Sequence, residues 1–345
     1  MSSLRSAAGR VKRGLTVRLR QGTPIERALY YTFVSDAFSR ERKLVAKGHQ
    51  EYSKRVEAGR QEFLLRRNIH MLEKGLTMRP RRETYGIAYV EETVRLFRQI
   101  LAAPTPIISV DVEHWAREVL DRYFDATAKS AAPEIQRARA SYESFLWEAE
   151  GNKLSGPHAP FVDQAPVDID SITALAVRRK SVRWFKPDKV EREKVDRAML
   201  VAAEAPSACN RQPFSFRIFD DPEMVAAVTK IPMGTAGYGH NLPSVAVIVG
   251  NQSAFIDERD RHLIYIDGCL AAMSFILGLE SQGVASVCIN WPDIAARDKK
   301  MSDLLHLEPY ERVVMLVGYG YADETGDTPF SAKRALKDLR SYNQL

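Results

Sequence analysis

The spacing of apolar residues changes near the middle of the chain. From Pro24 onward it is helical: Ala28, Leu29, Tyr31, Phe33 and Phe38 recur at mixed helical intervals. The charged segment Glu41 to Lys74 carries Phe63, Leu64, Ile69, Met71 and Leu72, enough for a helix with one packed face, with Gly75 suited to its C-cap and Pro80 just beyond. In Tyr89 to Leu101, Val90, Val94, Phe97 and Leu101 fall on one face that Leu96 and Ile100 widen. Ala102-Ala103-Pro104-Thr105-Pro106 breaks the chain, and Val112 to Phe124 and Ile135 to Ala149 give two further helical patterns. Trp115, Tyr123, Phe145 and Trp147 are their packing aromatics. Nothing in this half alternates like a strand, so residues 23–165 are expected to be an α-helical region.

Helical periodicity is lost in Gly151 to Asp168, which glycine and proline punctuate, and a boundary near residue 165 is expected there. Beyond it, period-2 and continuous apolar runs appear. Phe214 to Phe219 alternates, Ser244 to Gly250 is short and β-branched, and Val284 to Trp291 and Val313 to Gly320 follow suit, predicting four strands. Helices are predicted at Ser171 to Val177, with Ser171 as N-cap, at Val190 to Ala205, and at Ile264 to Gly283. The last is apolar on every side, which suits a helix buried centrally or at a subunit interface. A final helical patch follows Ser331 to Arg334. Helices and strands alternate irregularly, without a parallel βαβ repeat, so the fold class is α+β.

Composition narrows the picture modestly. A chain of 345 residues has room for two domains, and 45% hydrophobic with 27% charged residues excludes a disordered polymer. No apolar run has the length a membrane helix needs, and no signal-peptide pattern opens the chain. Three cysteines without CxxC spacing argue against a disulfide framework or zinc site and fit a reducing, cytoplasmic setting. The net charge of +6 is concentrated in a basic arm, residues 1–22, through Arg5, Arg10, Lys12, Arg13, Arg18 and Arg20. That arm suits a mobile tail; peripheral contact with an anionic membrane is the alternative, and nothing else in the chain points to nucleic acid.

Four stretches carry candidate chemistry. Arg66 to Gly75 places His70 and Glu73 three apart on one helical face, but no further metal ligand is evident; its cations suit a phosphate, an acidic surface or an interdomain face. Arg178-Arg179-Lys180-Ser181-Val182-Arg183 offers four cations and a hydroxyl, suited to an anion or to a helix C-terminus. Pro206-Ser207-Ala208-Cys209-Asn210-Arg211-Gln212-Pro213 sets short polar side chains between a helix and a strand, either to grip a planar polar ligand or as an ordinary connection. Within it, Cys209 reads as a neutral thiol rather than a nucleophile. Met233 to His240 is glycine-rich and reads as a mobile loop or small lid that could present Tyr238 and His240. No GxGxxG follows a strand, and GxSxG, HExxH and P-loop signatures are absent.

In that order, the Arg-x-Ser-x-Arg run, the Pro-Ser-x-x-Asn-x-Gln-Pro turn, the helix around Asp267-Gly268 and the late Lys333-Arg334 pair resemble the nitroreductase family of FMN-dependent oxidoreductases over about residues 170 to 340. The resemblance implies a nitroreductase-like domain over 166–345, with a central, mostly antiparallel sheet flanked by helices. Asn68 to Gly75 is similar to members with a helical N-terminal extension associated with polysaccharide biosynthesis. Carried over by position, Arg179, Lys180, Ser181 and Arg183 match residues that bind the FMN phosphate and ribityl chain, with Lys333 or Arg334 as a late phosphate cation. Pro206, Ser207, Ala208 and Asn210 match residues that reach the flavin of the other subunit, with Gln212 supporting the turn. Ile289, Asn290 and Trp291 match the loop whose backbone faces the isoalloxazine. The resemblance also implies a homodimer and a ping-pong exchange from NADH or NADPH to a small-molecule acceptor, with no side-chain nucleophile. The short chain between Gly250 and Asp267 departs from family members with longer insertions there, and a scaffold that keeps the fold without redox activity is the alternative.

Overall fold

The computed structural model describes residues 17, 19–145, 156–159 and 167–343. Its centre is an antiparallel sheet of β1 (Phe214–Phe219), β2 (Ser244–Asn251), β3 (Ala285–Ile289) and β4 (Glu311–Gly320), in the order β1-β2-β4-β3. β2 is central and its alternate side chains serve two separate cores, as the period of a strand requires. Val245, Val247 and Val249 face Val225, Val228, Met301 and Leu305. These come from the helices Pro222–Thr229 and Ala295–Leu305. Ala246 and Ile248 face the opposite way, toward Ala198, Ala202, Ala272, Phe275 and Leu279. The helices on that side are Arg192–Ala203 and Leu263–Glu280. The α+β architecture is therefore as the strand patterns predict.

The helices in chain order are α1 (Pro24–Leu29), α2 (Ala37–Glu57), α3 (Glu62–Thr77), α4 (Val90–Leu101), α5 (Val110–Ala126), α6 (Pro133–Glu143), α7 (Ile169–Arg178), α8 (Arg192–Ala203), α9 (Pro222–Thr229), α10 (Leu263–Glu280) and α11 (Ala295–Leu305). α10 buries Ala271, Ala272, Phe275, Ile276 and Leu279 but exposes Ile266, Leu270 and Met273. It is long and apolar enough to cross a membrane by composition, yet half of it is packed inside the protein. Gly278 has a local reason: a Cβ there would stand 2.9 Å from the Ala198 Cα, so a side chain would push α8 away.

α3 to α6 close a core of their own, built from Leu65, Ile69, Leu72, Val94, Phe97, Leu120 and Tyr123. A fourth, smaller cluster joins the two parts: Leu44 of α2 and Phe63 of α3 pack on Ala254, Phe255 and Ile264. The Gln61 amide, fully buried, donates to the Ser253 carbonyl at 2.9 Å across the same seam.

Several expectations differ in detail. Glu41 to Lys74 is two helices, broken near Gly59, whose φ of +66° suits glycine alone without strain. Gly75 is not a C-cap. It lies inside α3, where the Tyr85 ring occupies the place of a Cβ, 2.1 Å away. Ala28, Leu29, Tyr31, Phe33 and Phe38 are all exposed, and Tyr30–Val34 is a π-turn. α7 is capped by Asp168, whose carboxylate accepts both the Ser171 amide at 2.8 Å and its hydroxyl at 2.8 Å, so Ser171 is a partner of the cap. The final helical patch is one 3-10 turn, Leu336–Asp338. Most of the linker at 151–168, the boundary near 165, most of the basic arm, and Trp147 and Ala149 fall outside the described residues.

Candidate active site

The first motif begins where α7 ends. Arg178 is spent on structure: its Nε sits 2.8 Å from the carboxylate of Glu280, which is buried at the far end of α10. The chain then straightens, and Ser181 forms a parallel bridge to Ser286 while the Val182 amide donates to the Ser286 carbonyl at 3.0 Å. The motif is thereby laid along the outer edge of β3. Arg183 turns its guanidinium over the Tyr238 ring, 5.5 Å from the centroid, and its carbonyl accepts the Asn241 amide at 2.8 Å. Arg179 lies close enough to the Cys288 thiol to oppose the rise that burial imposes on it, although Cys288 also reaches the surface. Arg179, Lys180 and Arg183 are half-buried. None of the three has a carboxylate partner among the described residues, whereas Arg178 beside them does.

The second motif is fixed by its surroundings. The Ser207 hydroxyl accepts the Gln212 amide at 3.0 Å, and the Ala208 amide donates to the Asp267 carboxylate at 3.1 Å. Asp267 is 2% exposed, and burial pushes its carboxyl above the usual range against the opposing pull of the Ala208 amide and Arg211. Cys209, Asn210 and Gln212 have φ of 54°, 52° and 52°, a left-handed conformation that side chains disfavour. Arg66 of α3 reaches in from the N-terminal layer, with Nε on the Asn210 carbonyl at 3.0 Å and Nη2 on the Gln212 side-chain oxygen at 2.7 Å. Arg211 is buried over the Phe255 ring at 5.0 Å, and the Pro213 carbonyl accepts the Asn251 amide at 2.8 Å as the chain enters β1.

The remaining candidates lie as follows. Ile289 is buried in the sheet core, Asn290 is exposed, and the Trp291 indole donates to Asp298 at 2.8 Å. This leaves the backbone of the segment, rather than the Ile289 or Trp291 side chain, for a ligand. Lys333 and Arg334 stand on an exposed arm, where Arg334 donates to the Asp338 carbonyl at 2.7 Å. No bond joins them to the first motif among the described residues. Residues 233–240 are a tied turn rather than a loose lid, since Thr235 Oγ1 donates to the Thr229 carbonyl at 2.6 Å and Tyr238 is buried beneath Arg183. In the helical layer, His70 is 3.5 Å from Glu73, which accepts the Trp115 indole at 3.1 Å.

Arg66, Asp267 and Asn241 support the motifs from outside them. Arg66 lies in the dense Arg66–Gly75 stretch, and its guanidinium bonds the second motif. Most informative is the split between the motifs. The first follows the β3 edge and the second leads into β1, at the opposite edge of a four-stranded sheet. Three strand spacings separate those edges by about 14 Å. Their anchors on α10, Glu280 and Asp267, are about 20 Å apart at the rise of a helix. Between them lie the exposed side chains of Leu270 and Met273, with exposed Ile266 just before Asp267.

Residues 176–236 and 231–321 match the model of the nitroreductase family. A protein of Archaeoglobus fulgidus named as a candidate NADH dehydrogenase/NAD(P)H nitroreductase is 25% identical over 152 residues, 43% of this chain and 84% of that protein. The iodotyrosine deiodinase of Thermotoga neapolitana is 39% identical over 57 residues, 16% of this chain and 31% of that protein. Among solved structures, an FMN-dependent nitroreductase from Clostridium difficile is 23% identical, covering 50% of this chain and 99% of that one, with a TM-score of 0.42.

Proposed function

We propose that residues 166–345 form an FMN-dependent oxidoreductase that works as a homodimer, taking electrons from NADH or NADPH and passing them to a small-molecule acceptor in a ping-pong sequence. The observation that carries this reading is the split of the two motifs: cations with no carboxylate partner among the described residues on one sheet edge, a pinned polar turn on the other, and an exposed apolar helix face between them. A second copy placed against Ile266, Leu270 and Met273 would cover that face and let the turn of one protomer complete the cationic edge of its partner. Exposed Phe330, Leu336 and Leu339 on the C-terminal arm add apolar surface for the same contact.

The residues present fit FMN. Arg179, Lys180 and Arg183 retain the charge that a phosphate requires, and an arginine fork suits its oxygens. Ser181 sits between them to donate to the same group. Across the interface, the Asn210 side chain and the Ser207 backbone amide supply donors and an acceptor for the edge of a planar ring. Bound FMN would supply the two-electron chemistry, and the chain's part is to hold, orient and shield it. Tyr238, buried beneath Arg183, keeps that guanidinium in place and out of bulk water. No side-chain acid or nucleophile is needed.

The test is an anaerobic titration of purified protein. Yellow protein whose flavin bands bleach on addition of NADH or NADPH, and return when an acceptor follows, supports the reading. Colourless protein that FMN does not reconstitute overturns it. Flavin that binds but never bleaches with either nucleotide marks a flavin-binding scaffold instead.

A further inference from the structure

The helical N-terminal layer has no place in the chemistry just described, yet it reaches the second motif directly. Three of four successive decision points in that turn, Cys209, Asn210 and Gln212, hold left-handed backbone without glycine. Side chains disfavour that conformation, so the surroundings must impose it. Two constraints come from the C-terminal domain: the Asp267 carboxylate on the Ala208 amide and the Ser207 hydroxyl on the Gln212 amide. The third comes from Arg66, 144 positions before Asn210 in the chain.

Arg66 is placed for this use. It has no carboxylate within ion-pair distance among the described residues, and its fork spans one backbone carbonyl and one side-chain amide oxygen, 3.0 and 2.7 Å away. Holding the Gln212 oxygen fixes which way that amide faces, with its nitrogen toward the Ala203 carbonyl at 3.4 Å. Holding the Asn210 carbonyl pins the backbone, while the Asn210 side chain makes no bond within the chain among the described residues and stays available to a ligand. The helix that carries Arg66 is itself set by two cores: Leu65, Ile69 and Leu72 in the helical bundle and Phe63 in the seam with Phe255. The brace is therefore as rigid as the layer behind it.

We propose that Arg66 is a positioning residue for the flavin site, and that the helical layer serves as a built-in brace holding the Pro206–Pro213 turn in its flavin-receiving shape. This rests on the function proposed above. Three full-length variants test it: Arg66→Ala, Arg66→Lys, and Phe97→Ala, the last removing a buried side chain of the helical core. FMN affinity is measured by fluorescence quenching, the environment of bound flavin by its visible circular dichroism, and fold by thermal denaturation. Arg66→Ala is expected to weaken FMN binding about tenfold or more and to alter the flavin dichroism, as loss of a charge-assisted pair implies. Arg66→Lys, which keeps the charge but not the fork, should fall between. Phe97→Ala should lower the melting temperature while leaving affinity and dichroism, measured well below it, unchanged. Wild-type affinity and dichroism in Arg66→Ala would overturn the brace and leave the flavin reading intact. Loss of FMN in step with lost thermal stability across Arg66→Ala and Phe97→Ala would reduce Arg66 to a structural role and also overturn it. A wild type that binds no FMN overturns both.

Discussion

The two halves of the candidate site are built on opposite principles. Along the β3 edge, Arg179, Lys180 and Arg183 hold positive charge with no carboxylate to neutralise it among the described residues, on a backbone that is simply extended and bridged to Ser286. At the β1 edge, the turn from Pro206 to Pro213 contributes little free charge, because buried Arg211 lies over Phe255, but its backbone is held at unfavourable angles by Asp267, Ser207 and Arg66. One half supplies electrostatics on an easy backbone, and the other supplies geometry that neighbours must enforce. Substitutions in the first should therefore change binding without changing stability, while those in the second should show up in stability and shape.

The largest expected effect falls on both halves together. Leu270 lies on the exposed face of α10 between them, so Leu270→Arg disturbs no buried packing within the chain. It should leave a folded monomer that retains almost no FMN, read by sedimentation together with flavin absorbance; a monomer that keeps wild-type flavin would separate the site from dimerisation. Next comes Arg179→Ala, which should weaken FMN roughly ten- to a hundredfold, the equivalent of about 1.5–3 kcal/mol for a charged hydrogen bond, with the apoprotein melting as before. Cys209→Gly acts on the other half: glycine at φ 54° removes about 1 kcal/mol of backbone strain, so melting should rise by roughly 2–4 °C.

The smallest effect concerns Asp267, whose carboxyl is raised by burial above its ordinary value of 3.8. The folded state then binds the proton more tightly than the unfolded chain. This contribution is full below pH 3.8 and is lost as pH climbs through the raised folded value, so stability falls with rising pH. Asp267→Asn keeps an oxygen for the Ala208 amide and removes the titration. Its melting temperature should show a flatter dependence than wild type across the acidic range, and parallel curves would count against this assignment.

Legibility in the sequence followed burial. Ser244 to Gly250 and Val313 to Gly320 were plain because a strand covered on both faces must be a run of β-branched and apolar residues. Tyr89 to Leu101 was plain because half its positions face one core. α9 and α11 were not: α11 buries only Met301 and Leu305, too few for a visible period. Gly75 misled because glycine near an apparent helix end signals a cap, while here it makes room for the Tyr85 ring. Both motifs were readable as local strings of residue types. The support of the second was not, since nothing near Asn210 in the chain announces Arg66.

By itself, then, the sequence determined the class of fold, the strands that form the sheet, and the two short stretches whose side chains suit a phosphate and a planar polar ring. Periodicity and local composition carry that information because they act over a few residues. The tertiary structure decided that the two stretches lie on opposite edges of one sheet, that α10 leaves an apolar face between them, and that a helix from the first part of the chain holds the second stretch in shape. Those outcomes depend on strand order and on contacts more than a hundred residues apart, to which local spacing is blind.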